Sequence, residues 1–160
     1  SEMCIRDSGT GGSGETKRIP SKIFIEVMKN TVKKRKCKFF IATGNTKEEI
    51  EILDQITKSD LKEFCIPLNN LNISKVIPII KNCNVAICND SSFSHLSAAL
   101  NIPTIVLMAD TPLVYGSYSS LMHPILPEGA KTVSHDTLGK DKINPSEVQK
   151  KLDEILSNIF

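Results

Sequence analysis

The chain has 160 residues, a formal net charge of +2, and 40% apolar against 24% charged side chains. That is enough chain for one buried core, and the composition is that of a globular domain rather than a disordered, fibrous or membrane-spanning one. The charge balance argues neither for nor against nucleic acid, but the lack of Trp and the few aromatics exclude a base-stacking platform.

The five cysteines (Cys4, Cys37, Cys65, Cys83 and Cys88) are odd in number and contain no C-x-x-C pair. They read as reduced, buried thiols of a cytosolic protein. No apolar run reaches the length of a membrane span, and no signal-peptide core stands near residue 1. Residues 1–8 fit nothing downstream and read as a foreign or disordered leader outside the fold, which leaves 9–160 as one domain.

Residues 9–18 form a glycine-rich loop that ends on the basic pair Lys17 and Arg18. A helix follows over 21–34, with Ile23, Val27 and Val32 inward and lysines in its last turn, where they suit the helix dipole. The apolar run 37–42 is a strand. Thr46, with Glu49 three residues on, is a capping box for a helix over 47–57 whose inward residues are Ile50, Leu53 and Ile56. Residues 63–66 make a short strand, and 74–82 a helix that tolerates Pro78 only if it falls near the first turn.

The centre of the pattern is a strand over 85–88, a polar turn Asn89-Asp90-Ser91-Ser92, a helix over 93–100 spaced by Phe93, Leu96, Ala99 and Leu100, and a strand over 104–108 after Pro103. Two apolar strands joined by a crossover helix form a βαβ unit with parallel, buried strands. Beyond it, 109–120 is a polar loop, and 124–126 and 132–134 are short strand candidates. Asn144, Pro145 and Glu147 start a last helix that carries Val148, Leu152, Ile155 and Leu156 inward. Alternating strands and helices at these spacings predict a doubly wound, Rossmann-like parallel sheet. Its ligand crevice lies at the carboxyl ends of the strands, where helix starts offer free N–H groups to a phosphate.

Taken together, five ordered motifs resemble the carboxyl-terminal half of glycosyltransferase family 9, the ADP-heptose:lipopolysaccharide heptosyltransferases. The block from Asp90 through His95, Leu96, Ala98, Ala99 and Leu100 to Pro103 is the most specific. It is preceded by Gly14 to Pro20 with Lys17 and by Gly44 with Glu48, and followed by a loop with Thr111, Pro112 and Gly116 and by the helix start at Asn144. Three positions depart from the family pattern: Ser92 and Ala109 replace glycines, and Ile19 replaces a tryptophan.

The resemblance implies the nucleotide-sugar-binding C-terminal lobe of a two-lobed GT-B glycosyltransferase. The enzyme would be inverting and metal-independent, moving a heptose-like sugar from ADP-heptose or another nucleoside-diphosphate sugar. The acceptor would be a lipopolysaccharide or other lipid-linked glycan at the cytoplasmic face of the inner membrane, with at most peripheral membrane contact. Acceptor activation would fall to a carboxylate of an amino-terminal lobe, so the fragment alone would catalyse nothing.

By the same resemblance Lys17 supplies a point charge to the leaving diphosphate. Gly12 and Ser13 bring backbone N–H groups close to it, as do Ser91, Ser92 and Phe93 at the helix start, where the serines equally suit N-capping. Asp90, an anion itself, would accept bonds from sugar hydroxyls or orient Lys17 rather than touch phosphate. His95 would face the sugar, or else pack in the core. Glu48 would hold ribose hydroxyls, or serve the first turn of its helix, and Leu71 would meet the base. His123 and His135 read as surface residues, and no His/Cys/Asp/Glu cluster has metal-ligand spacing. The alternatives are a stand-alone nucleotide-binding module, a two-lobed nucleotide-sugar epimerase, and a scaffold in which Asp90 and His95 are structural.

Overall fold

The structure is a computed structural model that describes residues 2–6, 15–44 and 46–159. Its strands are β1 (Glu2–Arg6), β2 (Lys38–Ile41), β3 (Cys65–Pro67), β4 (Val85–Asn89), β5 (Thr104–Leu107) and β6 (Met122–Ile125). Its helices are α1 (Ser21–Lys34), α2 (Lys47–Thr57), α3 (Ile73–Lys81), α4 (Ser92–Ala99) and α5 (Pro145–Ser157). The strands form one sheet in the order β3-β2-β1-β4-β5-β6, every neighbouring pair parallel. This is the doubly wound, Rossmann-like order in which the chain starts at the middle and winds outward both ways.

The expectation that residues 1–8 stand outside the fold does not hold for Glu2–Arg6. Their backbone pairs with β2 on one side and β4 on the other, at the centre of the sheet. Without that strand, β2 and β4 would face each other across a gap lined by unpaired N–H and C=O groups.

Strand alternation divides the core. Val85 and Ile87 of β4, with Ile105 and Leu107 of β5, pack against α1, α2 and α5. Ala86 and Cys88 of β4 turn to the other face, onto Val76 and Ile80 of α3 and Phe93 of α4. Val106 meets Ala98 of α4 on that second face. Ile19, which stands where the family pattern has tryptophan, is completely buried in the first cluster. The four predicted inward residues of α5 are all buried.

Several helix details differ from expectation. The capping box of α2 forms as predicted: Thr46 Oγ1 accepts from Glu49 N at 3.3 Å and Glu49 Oε2 from Thr46 N at 3.0 Å. Ile50, however, is exposed, and the buried residues of that helix are Glu49, Leu53 and Ile56. Pro78 is the sixth residue of α3, not part of its first turn, and it lies on the exposed side where a missing N–H is least costly. In α4 the buried set is Phe93, Ser94, Ser97 and Ala98, while Ala99 is exposed. Small side chains let this short helix lie close against β4 and β5, so its inner face is not its most apolar one.

Residues 132–134 form no strand; the sheet ends at β6. Pro124 is tolerated there because Leu121 and Ile125 carbonyls accept from β5, so the odd-numbered groups face inward and the Pro124 nitrogen faces out from the edge. His123 is a half-buried strand residue, not a surface one, and its desolvation lowers its pKa. Cys37, Cys65, Cys83 and Cys88 are free thiols.

Packing, capping and thiol burial each have a measurable consequence. Leu152→Ala, in the middle of the first core cluster, should cost about 2–5 kcal/mol in denaturant unfolding. Thr46→Ala should cost only about 0.5–2 kcal/mol, the worth of a cap. Burial pushes the Cys65 thiol up to about 11. Its alkylation by iodoacetamide should therefore rise through about pH 11 rather than near 9. Because the folded value is raised, the stability linked to this thiol is intact below pH 9 and declines as pH climbs toward 11.

Candidate functional site

The order β3-β2-β1-β4-β5-β6 puts the topological switch point between β1 and β4. From β1 the chain passes to α1 on one face; from β4 it passes to α4 on the other. The two connections diverge and leave a crevice at the carboxyl ends of these strands. Gly12 and Ser13, predicted to line it, lie outside the described residues.

Lys17 ends a one-turn 3-10 helix, Glu15–Lys17, that leads into α1. Its Nζ lies 4.0 Å from Asp90 Oδ2, with the lysine side chain 21% and the aspartate 8% exposed. The structure thus brings together two residues that are distant in sequence and were both predicted for the site. At this distance they attract without sharing a tight hydrogen bond, whereas Lys29 and Asp60 on the surface approach to 2.8 Å. Lys17 therefore keeps donor capacity beyond this pair.

The start of α4 lies directly after Asp90. Ser91 is its N-cap, with Oγ accepting from Phe93 N at 3.3 Å, and Ser94 Oγ closes the box by a long 3.5 Å contact from Ser91 N. Two of the three predicted backbone donors are therefore engaged in capping, which supports the structural reading of these serines. Both bonds are at the long end of the range and are exchangeable. Ser92 opens the helix, exposed and in ordinary helical backbone, so a Cβ at this departure from glycine causes no strain. The Phe93 ring is buried in the core, which leaves only its backbone for the site.

His95 is half-buried, one turn into α4, and is not a core residue. Its Nδ1 lies 2.7 Å from Tyr118 Oη, and the two rings stack with centroids 5.5 Å apart. Tyr118 escaped the sequence reading because its loop has no periodicity; only proximity in space links it to His95. Glu48 is exposed in the first turn of α2, and it is Glu49, not Glu48, that closes the cap. Leu71 is exposed in the turn after β3, its N–H held by Leu68.

Asp110 and Thr43 escaped notice because they look like ordinary strand-end polar residues, and Thr111 was singled out only as a residue of the loop motif. Asp110 is buried beyond β5, and its Oδ1 accepts from Leu138 N at 2.8 Å. Thr43, after β2, and Thr111, after β5, bury hydroxyls that have no partner among the described residues. Among those residues no group of His, Cys, Asp and Glu could hold a metal ion, and no helix is long and apolar enough to cross a membrane.

The sheet order defines a Rossmann-like α/β fold, and it matches solved two-lobed GT-B heptosyltransferases over less than half of their length, as one lobe of such an enzyme would. The sequence profile of glycosyltransferase family 9 (heptosyltransferase) matches residues 9–134, and the chain belongs to that family. It is 35% identical over 75 residues to lipooligosaccharide heptosyltransferase 2 of Haemophilus influenzae, a match that covers 45% of this chain and 22% of that protein. It is 26% identical over 137 residues to lipopolysaccharide heptosyltransferase 1 of Campylobacter coli, covering 81% and 39%. The fold superposes on an Escherichia coli heptosyltransferase solved with ADP at a TM-score of 0.78 and 15% identity, over 96% of this chain and 43% of that one. The chain thus spans less than half the length of each.

Tyr118→Phe keeps the ring and removes the oxygen at His95. The imidazole 15N shifts of His95, which report its tautomer, should move while the exposed position leaves the unfolding midpoint unchanged. Unchanged shifts would mean that the pair does not persist in solution.

Proposed function

We propose that residues 9–160 are the donor-binding half of an inverting, metal-independent heptosyltransferase that takes ADP-heptose and serves a lipopolysaccharide or related lipid-linked acceptor. The observation that carries this reading is the Lys17–Asp90 pair at the switch point, 4.0 Å apart beside the start of α4. Family membership and the ADP held by a relative of the same fold support it.

In the transfer, an acceptor hydroxyl oxygen bonds to the anomeric carbon as the bond from that carbon to the diphosphate oxygen breaks. The electron pair leaves with the diphosphate. Charge therefore grows on the phosphate oxygens, and a fixed cation aimed at them lowers the barrier more than it tightens substrate binding. Lys17 fills that role, helped by the Ser92 N–H at the positive end of α4. Asp90 cannot bind phosphate. It holds Lys17 on the diphosphate side of the crevice and takes hydroxyls of the sugar. His95, braced by Tyr118, borders the sugar. Glu48, free of the cap, reaches ribose hydroxyls, and the Leu71 turn lies against the base.

The proton of the acceptor goes to a base on a second lobe, which makes the bound donor unreactive on this half alone. The complete enzyme would act in the cytoplasm, at the inner face of the membrane that holds its acceptor.

Calorimetric titration with ADP, UDP and GDP tests the reading. ADP should bind best, and Lys17→Ala should weaken it by roughly 1–3 kcal/mol, the scale of a charge-assisted hydrogen bond. Equal binding of ADP by Lys17→Ala would remove Lys17 from the site. A preference for UDP or GDP would keep the fold's role and reject the adenosine donor.

A further inference from the structure

A strap of chain after residue 137 crosses the carboxyl ends of the last two strands and reaches the turn that carries Lys17. Leu138 is held with φ 49°, left-handed backbone that a leucine rarely adopts, and its N–H reaches the buried carboxylate of Asp110 at 2.8 Å. Gly139 donates to Ala109 O at 2.9 Å. A Cβ on Gly139 would stand 2.3 Å from Pro127 Cγ and 3.1 Å from Ala109 O, so only glycine permits this approach. Two bonds and a forced contact thus fix the strap on the end of β5. Its next residue, Lys140, sends Nζ across to Glu15 O at 3.3 Å, with Glu15 Oε1 at 4.0 Å.

Glu15 O is the carbonyl that closes the 3-10 turn, because it also accepts from Arg18 N at 3.3 Å. Lys17 leaves from that same turn. The strap lies beyond the residues matched by the family profile, which end at 134.

We propose that Lys140 is a positioning residue. By gripping the carbonyl that closes the 15–17 turn, it fixes the direction in which Lys17 projects toward Asp90 and the diphosphate. The inference rests on the reading of Lys17 as the diphosphate cation. It predicts that Lys140 matters to the ligand only through Lys17.

A double-mutant cycle on the full chain, read by ADP calorimetry, tests this. Lys140→Met should weaken ADP by about 3- to 10-fold, the worth of one hydrogen bond, and Lys140→Arg should restore most of the loss. In the Lys17→Ala background, Lys140→Met should change affinity less than about 2-fold, since the group it positions is gone. Lys142→Met, in the same turn but exposed, is the control and should leave affinity unchanged. Hydrogen exchange without ligand gives a second readout: the Arg18 amide should exchange faster in Lys140→Met and return to normal in Lys140→Arg.

If Lys17→Ala weakens ADP while Lys140→Met alters neither affinity nor Arg18 exchange, the inference is overturned and the site reading stands. A full, additive loss from Lys140→Met in the Lys17→Ala background would also overturn it, by making Lys140 an independent contact. If Lys17→Ala itself has no effect on ADP, both the site reading and the inference fall.

Discussion

The parallel pairing of β1 with β4 is the constraint on which the rest of this molecule depends. It joins the first strand to the fourth, so the chain must leave one toward α1 and the other toward α4, on opposite faces of the sheet. That divergence opens a crevice at the carboxyl ends of the two strands, and Lys17 and Asp90 come together beside it. Had β4 paired with β3 instead, Lys17 and Asp90 would sit at different edges of the sheet and no common site would exist.

Electrostatics then selects what the crevice can hold. A half-buried lysine beside a buried aspartate could have collapsed into a closed ion pair, which is self-satisfied and inert. At 4.0 Å it has not, while the solvent-facing pairs Lys34–Asp153 and Lys58–Asp54 close to 2.6 Å. The open pair is the more informative, because surface pairs contribute little to stability or specificity. An anion entering on the α4 side meets the lysine and the helix start together, while Asp90 repels it from its own side. On the proposed reading, a diphosphate and its sugar divide over this pair, with phosphate toward the cation and hydroxyls toward the carboxylate.

Much of the fold could be read from residues alone, because strand alternation and helix capping act locally. The capping box at Thr46, the Asn144 start and the β4–α4–β5 unit follow from short-range rules, and the structure keeps them. Where the reading failed, a long-range term decided. The leader segment looked alien by composition, yet a vacant position between β2 and β4 draws residues 2–6 into the sheet through backbone bonds that any sequence can make. The inner face of α4 is set by how closely a helix can approach two strands, so serines are buried there while Ala99 is exposed. Of the site, Lys17, Asp90 and the α4 start were legible as motif residues. Tyr118, Asp110 and Lys140 were not, because each acts on a partner more than 20 residues away and none belongs to a periodic pattern.

The central claim is that a nucleoside diphosphate lies in the β1/β4 crevice between Lys17 and the start of α4. The most direct measurement is amide shift mapping of the 15N-labelled chain during titration with ADP. The account predicts the largest shifts at Lys17 and from Asp90 to Phe93, with smaller ones near Glu48 and Leu71. Shifts concentrated instead around the cavity of about 380 Å³ beside Pro127, Gly129 and Asn144, with Lys17 and Asp90 unmoved, would contradict it.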